Sequence, residues 1–551
     1  MKRSPLLLAL FPFLLFTACG EPAAEEAVAT EAAAVPLYTD LGDHHYAVTT
    51  SVPDAQRYFD QGLRLTYAFN HAEAIRAFEE AARLDPECAM CWWGSALAWG
   101  PNINAAMDSA SGAAAFAAVR RAGAATGADE RERALIDALA LRYADPPPSD
   151  RAALDSAYAR AMGEVSRRHP DDPEIASLYA EALMDLSPWN YWNADGSPRP
   201  DTPGILATLE GVIARLPDHP GACHFYIHAV EATQPQKAVA CAERLAGQMP
   251  GAGHLVHMPG HIYIRVGRYQ DAIEANQHAV HADETYIRDQ SPPLGTYLLG
   301  YYPHNYDFMA FASAMAGRGE QALVAARKVE SLVPREMVGQ PGLGFLEHLM
   351  TGPLRMLVRF GRWEEILAAA EPAEGLVYGR ATWHWARGMA LAAGGDPAGA
   401  RAELAAVRQA ASDPAMAEMV VGYNPAASVL AIAAGVLEGE ILAREGDTAG
   451  SVARLREAAA LEDALTYGEP PDWPVPVRHH LGAVLLQAGM PAEAEAAYRE
   501  DLGRFAANGW SLFGLAEALR AQGKTAEAAE VQARLEAAWS GADVQLTGSR
   551  L

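Results

Sequence analysis

The chain has 551 residues, half of them apolar and a fifth charged; this length exceeds what one hydrophobic core supports, so several domains or a repeat array is expected. Sixty-nine acidic residues against 43 Lys and Arg give a net charge of −26, which repels phosphate backbones and anionic lipid and sets nucleic acid aside as a partner. Cationic ligands, metal ions included, are compatible with it.

Taken in chain order, the N-terminus reads as a targeting segment. Lys2 and Arg3 precede the apolar run 6–16, then Thr17-Ala18-Cys19-Gly20; a basic start, a short apolar core and small residues before the cut make a secretory signal. The cysteine after Thr-Ala resembles a bacterial lipoprotein signal, with Phe16 where leucine is commoner. That resemblance implies signal 1–19, lipidation at Cys19, and a chain held at a membrane by the N-terminal lipid alone. Residues 20–50, Ala/Glu-rich at their start, are expected to form a flexible tether. No later apolar run approaches the ~20 residues of a membrane span. In an exported protein Cys88, Cys91, Cys223 and Cys241 are disulfide candidates, and their pairing stays open. Cys88-x2-Cys91 is followed by Trp92 rather than histidine, so haem attachment has no support.

From residue 51 onward the chain is helical and repetitive. Tyr58, Gly62, a turn at Asn70-His71, Ala74, Phe78, Ala81 and Pro86 form one unit. Trp92 and Trp99 repeat the offset of Tyr58 and Leu65. Later units close at Arg168-His169-Pro170, Met249-Pro250 and Val333-Pro334, or turn at Gly267, Gly317, Gly361, Gly395, Gly446, Gly489 and Gly523. This pattern resembles the tetratricopeptide repeat, a helix–turn–helix of about 34 residues with small residues where helices touch and a terminal proline. The resemblance covers most of the chain after residue 50. It implies an all-α, right-handed superhelical solenoid of about a dozen repeats, divided as an N-terminal array 51–335, a C-terminal array 336–540 and a disordered tail 541–551. It also implies a concave wall, built from first helices, that binds a peptide, a protein or a small molecule.

Three insertions interrupt the repeats: Trp99-Gly100-Pro101-Asn102-Ile103-Asn104, Ser187-Pro188-Trp189-Asn190-Tyr191-Trp192-Asn193, and residues 297–305. Loops this long and aromatic either cap helix ends or enclose a site. Residues 221–267 carry His224 and His228, His257 and His261, two H-x3-H pairs 33 residues apart, with His254 beside the second. Thirteen residues before successive turn glycines stand His254, His304 and His348; ten before stand His257, Asp307 and Thr351, with His479 ten before Gly489. Histidines one turn apart share a helical face, although Pro259 favours a helix starting near Met258. The expected metal ligands are therefore His224, His228, His254, His257, His261 and His304, for zinc, copper or iron. Glu231, Asn305 and Asp307 are expected to hold the rings from behind. His348, His479, Asn102 and Asn104 are expected along the groove. His44, His45, His169, His219, His278, His281 and His384 read as structural or solvated.

Other chemistry has less behind it. Phosphate loops, nucleophile elbows and H-E-x-x-H runs do not occur. Cys223 beside His224 would be a nucleophile and base only if adjacent helical residues faced one way, which they do not. Glu181 and Asp185 could supply acid–base groups or metal oxygens, and read more simply as a solvated helix face. The sequence is thus read as an exported, periplasm-facing lipoprotein with a ligand groove and a histidine metal site. The alternatives are a metal-dependent hydrolase or oxidase on the same solenoid, and a protein-interaction scaffold for envelope assembly.

Overall fold

In a computed structural model, residues 35–551 are described; the expected signal and Cys19 lie outside them. The described α-helices fall into twelve helix–turn–helix units, from Pro53–Tyr67 with His71–Leu84 to Gly509–Ala521 with Thr525–Ala538; two units have a first helix in two pieces, Gly253–His257 with Pro259–Val266 and Gly344–Met350 with Gly352–Arg359, and the short helix Pro414–Glu418 stands outside them. The one sheet among the described residues is a two-stranded hairpin, Val420–Val421 against Asn424–Pro425. This is the all-α solenoid expected of the repeats.

Local chemistry accounts for the pairing. Asn70, Asp108, Asp172, Asp396, Asp447 and Asn508 each accept a backbone N–H from the first turn of the helix they precede, satisfying an otherwise orphaned donor. Between helices, an aromatic of a second helix wedges between two small residues. A Cβ on Gly62 or on Gly94 would stand 2.7 or 2.3 Å from the Phe78 ring. Near the other end Gly482 and Gly514 make the same notch for Tyr498. Any side chain there would hold neighbouring helices apart, so glycine sets the stacking distance.

Three expectations about the chain's ends and surfaces are corrected. The tether does not extend to residue 50: Leu41 and Tyr46 are buried, Gly251 N donates to Asp40 O (2.9 Å), and Thr49 N donates to the Glu132 carboxylate (2.6 Å). The tail 541–551 is not loose. Ser549 is buried and donates to His479 O (2.6 Å), Arg550 pairs with Glu440, and Asp543 accepts from Gly319 N (2.6 Å) and Glu320 N (3.1 Å). One helix, Ala426–Glu445, is long and apolar enough to cross a membrane by length and composition. Its apolarity has a local use: Val429, Leu430, Ile432, Ala433, Val436 and Leu437 are buried in the solenoid core.

The last repeats return to the middle of the chain. Trp510 Nε1 donates to Ala314 O (2.8 Å), and Arg265 Nη1 donates to Arg504 O (3.1 Å). This closure carries residues 465–475 onto the histidine-bearing helices.

Candidate metal centre

The first histidine pair is set by the helix Pro220–Val230. His219 caps it, its Nδ1 accepting from Ala222 N (3.1 Å), and Pro220 occupies the first turn, where no N–H is needed. His224 and His228 follow on one buried face, with Glu231 just past the end. The second set spans two short helices, Gly253–His257 and Pro259–Val266. Met258 between them keeps helical angles (φ −50°, ψ −36°), so Pro259 interrupts the hydrogen bonding without turning the chain away. His254 consequently faces the first pair while His257 and His261 face onward. His304 enters from Tyr302–Met315.

The six rings form two triads. In one, ligand nitrogens of His224, His228 and His254 lie within 4.8 Å of one another; in the other, those of His257, His261 and His304 do. Five of the six side chains are buried, His304 partly so. The hydrogen bonds decide which nitrogen is bare. His224 Nδ1 meets the Tyr67 carbonyl (2.7 Å), His228 Nδ1 meets Glu231 Oε1 (3.4 Å), and His257 Nδ1 meets Asn276 Oδ1 (2.7 Å). His261 Nδ1 lies 3.0 Å from Glu231 Oε2 and 2.9 Å from Glu469 Oε2. The Asn276 orientation is fixed because its Nδ2 donates to Ala272 O (2.8 Å). Each partner is an acceptor, so each Nδ1 carries the hydrogen, which in His224, His228 and His257 leaves Nε2 with the lone pair. His224 Nε2, His228 Nε2 and both nitrogens of His254 are buried with no hydrogen-bond partner among the described residues. His257 Nε2 and His261 Nε2 face each other at 2.9 Å.

Electrostatics follow burial. Desolvation pushes His224, His228, His254 and His257 well below the usual imidazole range, and His304 down to about 3. Burial acts the same way on His261, but the Glu231 and Glu469 carboxylates outweigh it and raise it to about 9. Five neutral imidazoles and two carboxylates in one buried space favour a cation.

The three insertions meet over the first triad. The Trp189 ring stands edge-on to His228 (4.9 Å between ring centres), and its Nε1 donates to Asn104 Oδ1 (3.1 Å). Tyr301 lies 4.5 Å from the His254 ring, with Asn102 and Asn104 near its hydroxyl. On the far side, a pocket walled by Arg265, Phe311, Tyr467, Asp472 and Phe505 includes Glu469, one hydrogen bond from His261.

Several residues lie elsewhere than expected. Asn305 donates to Asp283 Oδ2 (2.7 Å) rather than backing a histidine. Asp307 and His348 line a separate pocket with Arg355, where His348 Nδ1 meets the Tyr378 hydroxyl (2.7 Å). His479, expected along the groove, is fully buried, and its Nε2 meets Asp501 Oδ2 (2.9 Å). Cys223 is bonded to Cys241, which removes it as a nucleophile, and Cys88 is bonded to Cys91. Glu181 and Asp185 are not a solvated face: both carboxylates are buried, and Asp185 pairs with Arg142.

His44 and His219, read as structural, join Glu174 in a third close group. Here the donors are used up. His219 Nδ1 already accepts from Ala222, so Nε2–H donates to Glu174 Oε1 (3.1 Å); His44 Nε2 meets the same oxygen (2.6 Å), and the Tyr67 hydroxyl donates to the other. Burial would raise Glu174, but His219 and His44 hold it well below the usual range. Glu174 thus gathers both rings and the Tyr67 hydroxyl, which braces Tyr67 behind His224.

Sequence reading missed Glu469 and Asn276. Glu469 is 208 residues from His261 and has no periodic signal. Asn276 was detectable: it lies between Ala272 and Ala279 on the face where helices touch, and a buried polar residue there needs a partner.

A tetratricopeptide-repeat family model matches residues 475–500 and 509–531. No curated protein matches the chain. Among solved structures, the human IFIT1 dimer with m7Gppp-AAAA is 13% identical, covering 89% of this chain and 90% of its own, with a TM-score of 0.32. The APC/C hetero-tetramer Cut9-Hcn1 is 11% identical, covering 88% and 76%, with a TM-score of 0.33.

Proposed function

We propose that this chain is an exported, lipid-anchored tetratricopeptide-type solenoid whose central function is to hold a transition metal in its histidine cluster. One observation carries the reading: His224 and His228 each have the Nδ1 hydrogen tied to an acceptor and a buried Nε2 turned inward with no partner among the described residues. A metal-binding histidine needs that tautomer and that support, whereas a core histidine is ordinarily bonded at both nitrogens. The nitrogen-rich, thiolate-free set suits zinc, copper or iron. The two disulfides fit the oxidising compartment that a secretory signal implies. A bound ligand would be met by the metal and by the insertion loops around it. Three histidines per triad leave a coordination position for water or substrate, which favours metal-dependent catalysis as the second reading over a plain scaffold.

The test is elemental analysis of tag-free protein after exposure to zinc, copper and iron in turn, beside His257→Ala/His261→Ala. Bound metal in the parent and a loss of at least one ion in the variant are expected. No metal from any of the three would sink the reading; unchanged metal in the variant would move it away from these residues.

A further inference from the structure

The two triads are built as two separate coordination shells that share a wall. With metal–nitrogen bonds of about 2.1 Å, ring centres in a tetrahedral shell stand about 5.2 Å apart. In the second triad the ring centres are 4.7, 4.9 and 5.8 Å apart. In the first they are 5.0, 5.0 and 6.5 Å apart, so His254 need only swing inward by about an ångström to complete a shell of that size. Across the wall, His228 stands 5.2 Å from His261, and His254 stands 5.7 Å from His257.

Glu231 joins the two halves. Its Oε1 faces His228 Nδ1 and its Oε2 faces His261 Nδ1, so one carboxylate orients one ring of each triad. The close group His228–Glu231–His261 is therefore the support behind both shells and not a third site. Two of the remaining four rings have separate supports: the Tyr67 carbonyl for His224 and Asn276 for His257.

We propose that the cluster is a dinuclear centre, one divalent ion on His224, His228 and His254 and a second on His257, His261 and His304, with Glu231 coupling the two shells from behind. This deepens the metal reading above and rests on it. Three protein nitrogens per ion leave a position on each for a small oxygen ligand, and adjacent ions can hold one such ligand between them. The ligand class is thus a water, a hydroxide or a compact oxygen-bearing molecule.

Stoichiometry separates this claim from its premise. Metal-free full chain is titrated with zinc alone and with copper(II) alone, and bound metal is counted after desalting. Two ions per chain are expected, falling to one in His254→Ala, to one in His304→Ala and to none in the double variant. One ion in the parent overturns the dinuclear centre and leaves the histidine metal site standing; none overturns both. Two ions retained in both single variants also overturn it. Should either variant fail to fold, the parent still decides: with two coppers bound, a spin-coupled pair with electron paramagnetic resonance intensity well below two spins supports the centre, and two full uncoupled signals refute it.

Discussion

At the scale of single residues, the centre depends on which ring nitrogen carries the proton. His257 is the clearest case, because Asn276 Oδ1 accepts from Nδ1 at 2.7 Å while Asn276 itself is pinned by Ala272 O. Asn276→Ala frees the tautomer and lets the ring rotate, so metal affinity should fall by about 10- to 100-fold, read by competition with a chromophoric chelator. An unchanged affinity would mean that the ring is held by packing against Phe308 instead. The histidine spacings were legible in the sequence because ligands one turn apart need only a helix. The tautomers were not, since Tyr67 O, Asn276 and Glu469 come from other elements.

At the scale of the element, the second histidine helix is broken at Met258–Pro259 yet stays on course, and its end is set by Gly267. Gly267 has φ +80°, and a Cβ there would stand 2.6 Å from Ala506 O. Gly267→Ala therefore strains the backbone and collides with the returning C-terminal repeats. It should lower stability by roughly 1–3 kcal/mol, seen as a lower denaturant midpoint with unchanged slope. A neutral result would show that the contact with Ala506 yields freely. The turn itself was legible, because glycine after a periodic stretch marks a helix end. The collision was not, because it joins residues 239 positions apart. The insertions behaved likewise: their aromatics marked them as unusual, and only packing brought Trp189, Asn104 and Tyr301 to one triad.

At the scale of the whole molecule, the solenoid is closed by long-range polar ties. Asp543 caps the helix Gly319–Leu332 from 224 residues away. Asp543→Ala should cost about 1 kcal/mol and lower the melting midpoint by a few degrees or less, while leaving bound metal unchanged; no shift in melting would mean that the cap is replaced by water. By itself the sequence determined the helices, the repeat and the histidine pairs, because hydrophobic period, capping and spacing act within one repeat. Tertiary structure alone decided that the six histidines divide into two triads, that Glu469 joins them while His348 and His479 do not, and that the tail packs against the core. Those outcomes depend on how twelve helix–turn–helix units stack and close, a sum of small rotations that no single repeat encodes.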